Sequence, residues 1–287
     1  MIGLLMVFLR AEYKKQTMLS IQLYTSGNSI CLRLLTCCLF FICFTQSGHA
    51  QYSFEEVSRA FLGKPYVAST LDRDTTEKLV INTNEVDCTT FLEYVVAGVT
   101  AREIPDSSNS KYREAVQKIR YRNGKIYNYA SRLHYFSEWL AENRKNGLIY
   151  DVTDSLGGRY VQKQINFMST HPAAYPAFLR NPALLDSIKI TERALSETSV
   201  YILPKERIES AESLINTGDL IAITTAIDGL DITHVGFAQR VNGRIHLLHA
   251  SSVAKKVIID PLPLAAYLQK QKNATGIRVF RISRREK

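Results

Sequence analysis

From Gly218 to the C-terminus the chain alternates short β-rich runs with tight turns, and this leaves few folds open. The runs cover residues 220–227, 233–240, 244–251, 257–259 and 277–282, with a short helix near 264–269 before the last. Consecutive runs joined by turns too short for a crossover predict an antiparallel meander. Asn242-Gly243, between two of them, is the strongest short-range hairpin signal, because a two-residue type I′ turn needs positive φ at both positions. Such a turn pairs Val241 with Arg244, Gln239 with His246, Gly236 with His249 and His234 with Ser251. His234 and His249 then share one face as diagonal neighbours, and His246 lies on the other. A turn one residue longer would reverse that parity.

Upstream the periodicity is helical. Residues 54–63 carry Phe54, Val57 and Phe61 on one side, with Ser53 as N-cap and Glu56 three residues on. Residues 89–97 form a second short helix through Phe91, Leu92 and Val95. The block 106–213 reads mostly helical. Its clearest helix runs over 131–146, with Leu133, Phe136 and Leu140 on a stripe and Gly147 at the stop, while Pro172, Pro176 and Pro182 break the remainder into pieces. Helices followed by a meander predict an α+β arrangement. Hydrophobic residues at 46% and charged residues at 22% of 287 exclude disorder and a multi-span membrane protein.

Residues 34–44 read LLTCCLFFICF, too short to span a bilayer and of the right length for the core of an export signal. Arg33 precedes the run, and the small residues at Gly48 and Ala50 place cleavage after Ala50. Met18 opens a more usual signal length, and an uncleaved anchor is the competing reading. The expectation is a signal peptide over 1–50, then one domain over 51–287 in the periplasm or cell envelope, with no stable membrane anchor after cleavage. The net charge of +9 falls to +6 without the first fifty residues and is spread along the chain, which argues for an anionic polymer and not for nucleic acid.

Cleavage would remove Cys31, Cys37, Cys38 and Cys43, leaving Cys88 alone. No disulfide framework is then possible, and Cys88 is either buried and inert or a reactive thiol. Its position before an apolar helix favours reactivity, because unpaired N–H groups at a helix start stabilise a thiolate. His234, oriented by His249, would supply the base that such a nucleophile requires. Bland readings come first elsewhere: Tyr135, Phe136 and Trp139 as core, Arg132 and His134 as structural. Asp72, Asp74, Asp151 and Asp154 show no spacing that supports a glycosidase or a calcium loop.

The segments Leu62-Gly63-Lys64-Pro65-Tyr66, Asp87-Cys88-Thr89-Thr90-Phe91, Thr217-Gly218-Asp219-Leu220, His234-Val235-Gly236 and His249-Ala250-Ser251 resemble, in this order, the NlpC-type papain-like cell-wall cysteine peptidases. The D-C-T-T-F form and the long insertion are similar to the N-acetylmuramoyl-L-alanine amidase-like branch. The resemblance implies a papain-like core, N-terminal helices packed on an antiparallel sheet, with the mostly helical insertion at about 106–213. It implies Cys88 as nucleophile, His234 as general base and His249 as the polar third member. Tyr66 would help the oxyanion and Asp87 would meet a substrate amine. Relatives usually carry Ser-Gly after the cysteine, where Thr89-Thr90 stand here, and Trp-Gly-Gly after the tyrosine, where Val67-Ala68-Ser69 stand.

The expected reaction is metal-free and cofactor-free hydrolysis of an amide in peptidoglycan or a muropeptide, foremost the lactyl–L-Ala bond. A γ-D-Glu–diamino acid endopeptidase stands beside it. A zinc amidase liganded by Cys88, His234 and His249 is a further alternative, as is a non-catalytic wall-binding protein. The sequence leaves the oligomeric state open.

Overall fold

The computed structural model describes residues 52–283; the apolar run 34–44, the cleavage position and the four N-terminal cysteines lie outside the described residues. The first helix, α1 (Phe54–Arg59), starts as its capping pattern requires: Ser53 Oγ accepts Glu56 N–H at 3.2 Å and Glu56 Oε2 accepts Ser53 N–H at 2.7 Å. It stops short of Gly63, where the backbone turns at φ +79° and runs beside the sheet, Gly63 N–H donating to Val257 O.

Helix α2 (Cys88–Ala101) is longer than the apolar pattern suggested and is the axis of the core. Phe91, Leu92, Val95 and Val96 are fully buried, each contributing about 1.5–3 kcal/mol relative to exposure. Helix α3 (Ser110–Arg120) packs beside it, with Asn109 as N-cap. Helix α4 (Phe136–Lys145) begins five residues later than the periodicity predicts. Residues 132–135 are extended instead, because Leu133 N–H donates to Arg120 O and Tyr121 bridges Arg132. Leu133 still reaches the core, from outside the helix.

The block 106–213 also contributes strands, a correction to the mostly helical expectation. β1 (Ile149–Asp151) and β2 (Arg159–Val161) precede the short helices α5 (Phe167–Thr170) and α6 (Pro176–Arg180) and the longer α7 (Leu184–Ser196). β3 (Val200–Pro204) and α8 (Ile208–Ala211) close the block. The meander follows as β4 (Leu220–Thr225), β5 (Ile232–Val241), β6 (Arg244–Ser251) and β7 (Lys256–Pro263), then α9 (Leu264–Gln269) and β8 (Ala274–Ile282). The antiparallel sheet runs β2-β3-β8-β4-β5-β6-β7, with β1 also paired to β8. Strands of three residues show no alternation, so β1 and β2 are invisible to period-two reasoning.

The hairpin forms as its turn dictates. Asn242 and Gly243 take φ of 48° and 84°, Val241 pairs with Arg244, and Gln239 with His246. Both faces of the sheet are covered: Leu220 and Ala222 meet the α2 side, Ile221 and Ile223 the α8–α9 side, so β4 is buried throughout.

Candidate active site

Cys88 is the first residue of α2, and Asp87 is its cap. Asp87 Oδ1 accepts Thr90 N–H at 2.8 Å and the Thr90 hydroxyl at 2.8 Å, while Thr90 Oγ1 accepts Asp87 N–H at 2.9 Å. Thr90 thus completes a reciprocal box that rigidifies the helix start. The Val235 backbone on β5 and Thr89 lie near enough to the Cys88 sulfur to favour its ionised form.

His234, the residue before Val235, is therefore on the backbone beside the nucleophile. Its Nε2 lies 2.6 Å from His249 Nδ1, the rings crossing edge to face with centroids 4.8 Å apart. Gly236 makes this approach possible: a Cβ there would lie 2.7 Å from Leu248 O and 3.0 Å from His249 Cβ. His249 is buried, and its Nε2 stands 3.6 Å from Asp260 Oδ2 on β7, too long for a hydrogen bond and otherwise unpartnered. Tyr267 of α9 packs edge-on to the His249 ring at 5.6 Å. Asp260 and Tyr267 were not singled out in the sequence. Neither carries a motif, and only the pairing of β6 with β7 and the docking of α9 bring them here.

The electrostatics set the resting protonation. Burial, then the Asp87 carboxylate, pushes the Cys88 thiol up to about 11, against the pull of the Val235 and Thr89 donors. Burial pushes the His234 imidazole down to about 4. His249 falls to about 4 through burial and the neighbouring His234, with Asp260 opposing. Burial thus favours the neutral thiol and neutral imidazoles, opposing the thiolate preference of the helix start.

Tyr66 is half-buried and held at the corner by the segment 62–66, whose Tyr66 N–H donates to Lys255 O and whose Pro65 bridges Lys256. Burial raises its hydroxyl pKa, and Cys88, when ionised, and the Asp87 carboxylate add to the effect. Ser69 takes a left-handed φ of 57°, a conformation that costs a non-glycine residue about 1 kcal/mol.

Cys88, His234, His249, Tyr66 and Asp87 thus meet at one corner. The bland readings also hold: Trp139 and Phe136 stack at 4.9 Å in the core. Arg132 pairs with Glu77 at 2.6 Å and Asp72 at 2.8 Å, and His134 Nε2 lies 2.7 Å from Tyr129 O. Asp219 of the Thr-Gly-Asp-Leu segment is structural, clamping Arg281 through two contacts of 2.7 and 2.8 Å. Among the described residues no group of three or more His, Cys, Asp or Glu side chains is arranged to hold a metal ion, and no helix is long and apolar enough to cross a membrane.

No curated protein matches this chain by sequence. Solved structures do. A Bacteroides uniformis N-acetylmuramoyl-L-alanine amidase is 39% identical with a TM-score of 0.77, over 83% of this chain and 100% of that one. A Bacteroides fragilis protein provisionally described as a xylanase is 40% identical with a TM-score of 0.74, over 78% and 99%. A Legionella pneumophila structure at 21% identity and TM-score 0.61 shares the fold. The family described as AmiA-like, N-acetylmuramoyl-L-alanine amidase-like, matches residues 56–277. The chain belongs to the AmiA-like, N-acetylmuramoyl-L-alanine amidase-like family.

Proposed function

We propose that this chain is an exported cysteine hydrolase that cuts the amide between the lactyl group of N-acetylmuramic acid and L-alanine, in peptidoglycan or in muropeptides released from it. One observation carries the reading: Cys88 opens α2 beside the Val235 backbone of β5, and the residue before Val235, His234, lies 2.6 Å from His249. Family membership supplies the substrate class.

In the tautomer this reading requires, His234 Nε2–H donates to His249 Nδ1, which leaves His234 Nδ1 as the basic nitrogen and His249 Nε2–H facing Asp260. As the Cys88 sulfur attacks the lactyl carbonyl, its proton passes to His234 Nδ1. N–H groups at the start of α2, with the Tyr66 hydroxyl, receive the oxyanion. The imidazolium then protonates the departing L-alanine nitrogen, leaving a lactyl thioester. Water, giving a proton to His234, adds to the thioester carbonyl; the C–S bond breaks, the sulfur regains its proton from His234, and the sugar leaves with a free lactyl carboxyl group. Because thiol and imidazole start neutral, His234 acts as a base during attack and not as the partner of a standing thiolate.

The endopeptidase reading relies on Asp87 meeting a free amine, yet Oδ1 of that carboxylate already takes two hydrogen bonds from Thr90. The zinc reading needs His234 and His249 to converge on one ion, whereas their facing nitrogens bond each other. The test is mass spectrometry of defined muropeptides after incubation with the chain from Gln51 and with Cys88→Ser. Separation of intact peptide from sugar, by the wild type only, supports the amidase. A released Ala–Glu unit supports the endopeptidase, and equal cutting by both proteins refutes the Cys88 mechanism. Export is tested by N-terminal sequencing of the protein from the envelope, with Gln51 expected first.

A further inference from the structure

A cavity of about 550 Å³ lies between α4, the β2–β3 ladder and the ends of β4, β5 and β8, and none of Cys88, His234, His249, Tyr66 or Asp87 lines it. Its floor holds Arg278, 6% exposed, with its guanidinium carbon 5.0 Å from the centre of the Phe280 ring. This guanidinium is poorly served. Nη1 is 3.5 Å from Ser137 Oγ, Nη2 is 3.5 Å from Asp151 Oδ2, and Nε has no partner. By contrast, Arg132 and Arg281 meet their closest carboxylate oxygens at 2.6 and 2.7 Å.

A buried donor without an acceptor costs about 1–3 kcal/mol, more when charged, so an ordered water or a ligand normally answers it. Arg144 of α4 lines the same cavity and acts on Arg278 as a like charge, which an anion between them would relieve. Among the described residues Arg144 has no ion pair. The remaining wall is largely apolar, through Leu140, Val161, Ile202 and Phe280.

We propose that this cavity binds a small organic carboxylate: the oxygens engage the Arg278 fork with Arg144 as second cation, and an apolar body lies against Leu140, Val161, Ile202 and Phe280. The planar guanidinium matches a carboxylate in two-point geometry. Asp151 and Asp231 in the same lining repel a doubly charged inorganic ion, so a singly charged ligand fits better. The site stands apart from the cysteine corner, and testing it requires no turnover.

Isothermal titration of the purified protein compares N-acetyl-L-leucine, its methyl ester and inorganic phosphate. The free acid binds saturably at one site, about tenfold or more tighter than the ester. Arg278→Lys, which keeps the charge and loses the fork, weakens binding about tenfold, and Arg144→Gln, exposed on α4, weakens it about threefold. Cys88→Ser binds as the wild type does. Arg144→Gln decides the matter if Arg278→Lys does not fold. Equal binding of the ester, tighter binding of phosphate, full affinity in Arg144→Gln, loss in Cys88→Ser or no saturable binding would each overturn the proposal.

Discussion

The buried pairs of the helical side and the histidine pair of the sheet settle their charge in opposite ways. Arg120 meets Glu93 at 2.7 Å, with side chains 1% and 2% exposed, and Arg132 grips Glu77 and Asp72. A guanidinium cannot deprotonate, so these sites hold charge by pairing it. They fasten segment 71–80 to the helices: Arg120 also reaches Val80 O, and Tyr121 donates to Glu77 at 2.6 Å. At the cysteine corner burial favours the neutral form of the thiol and of both imidazoles, the charge state from which the proposed proton transfer starts.

Four measurements would break or sharpen that contrast. The largest effect is expected from Cys88→Ser, which should lower kcat/KM at least about a thousandfold with an unchanged melting curve. A comparable loss of Tm would make Cys88 a packing residue. Glu93→Gln should do the reverse, leaving Arg120 uncompensated at a cost of about 3–5 kcal/mol. Calorimetry should show the lowered Tm, with the rate of Cys88 alkylation in the folded fraction unaffected. Asp260→Asn should reduce kcat about tenfold with KM unchanged. A shift in KM alone would remove Asp260 from the relay.

The smallest effect is the pH dependence. Unfolded imidazoles take a proton near 6.5, whereas folding lowers His134 to about 3 and His234 and His249 to about 4. Acid therefore favours the unfolded chain. The stability these groups contribute is complete above pH 6.5 and is lost as pH falls toward about 4. Scanning calorimetry should show Tm declining over that window, and the acid limb of kcat/KM should lie near 4. A limb near 6.5 would mean that His234 is solvated.

Much of the site was legible because its determinants are local. Asn242-Gly243 sets the hairpin register through its own φ angles, and that register puts His234 and His249 together. Ser53-Glu56 and Asp87-Thr90 are caps readable within four residues. The middle block was less legible: a stripe through Leu133, Phe136 and Leu140 has helical spacing, yet Leu133 packs from an extended segment tied to Arg120. Periodicity reports which residues are buried, not which backbone buries them.

By itself, then, the sequence determined the meander, the helix that opens at Cys88, the histidine pair and the family, since turn chemistry, caps and alternation act between near neighbours. Tertiary structure alone decided that Asp260 and Tyr267 stand behind His249, that Arg278 is buried with an unanswered donor, and that burial favours the neutral thiol. Those outcomes depend on burial and on pairings between β6 and β7, α9 and β6, and α4 and β8, elements far apart along the chain. No local pattern records the dielectric that distant segments create when they close over a side chain.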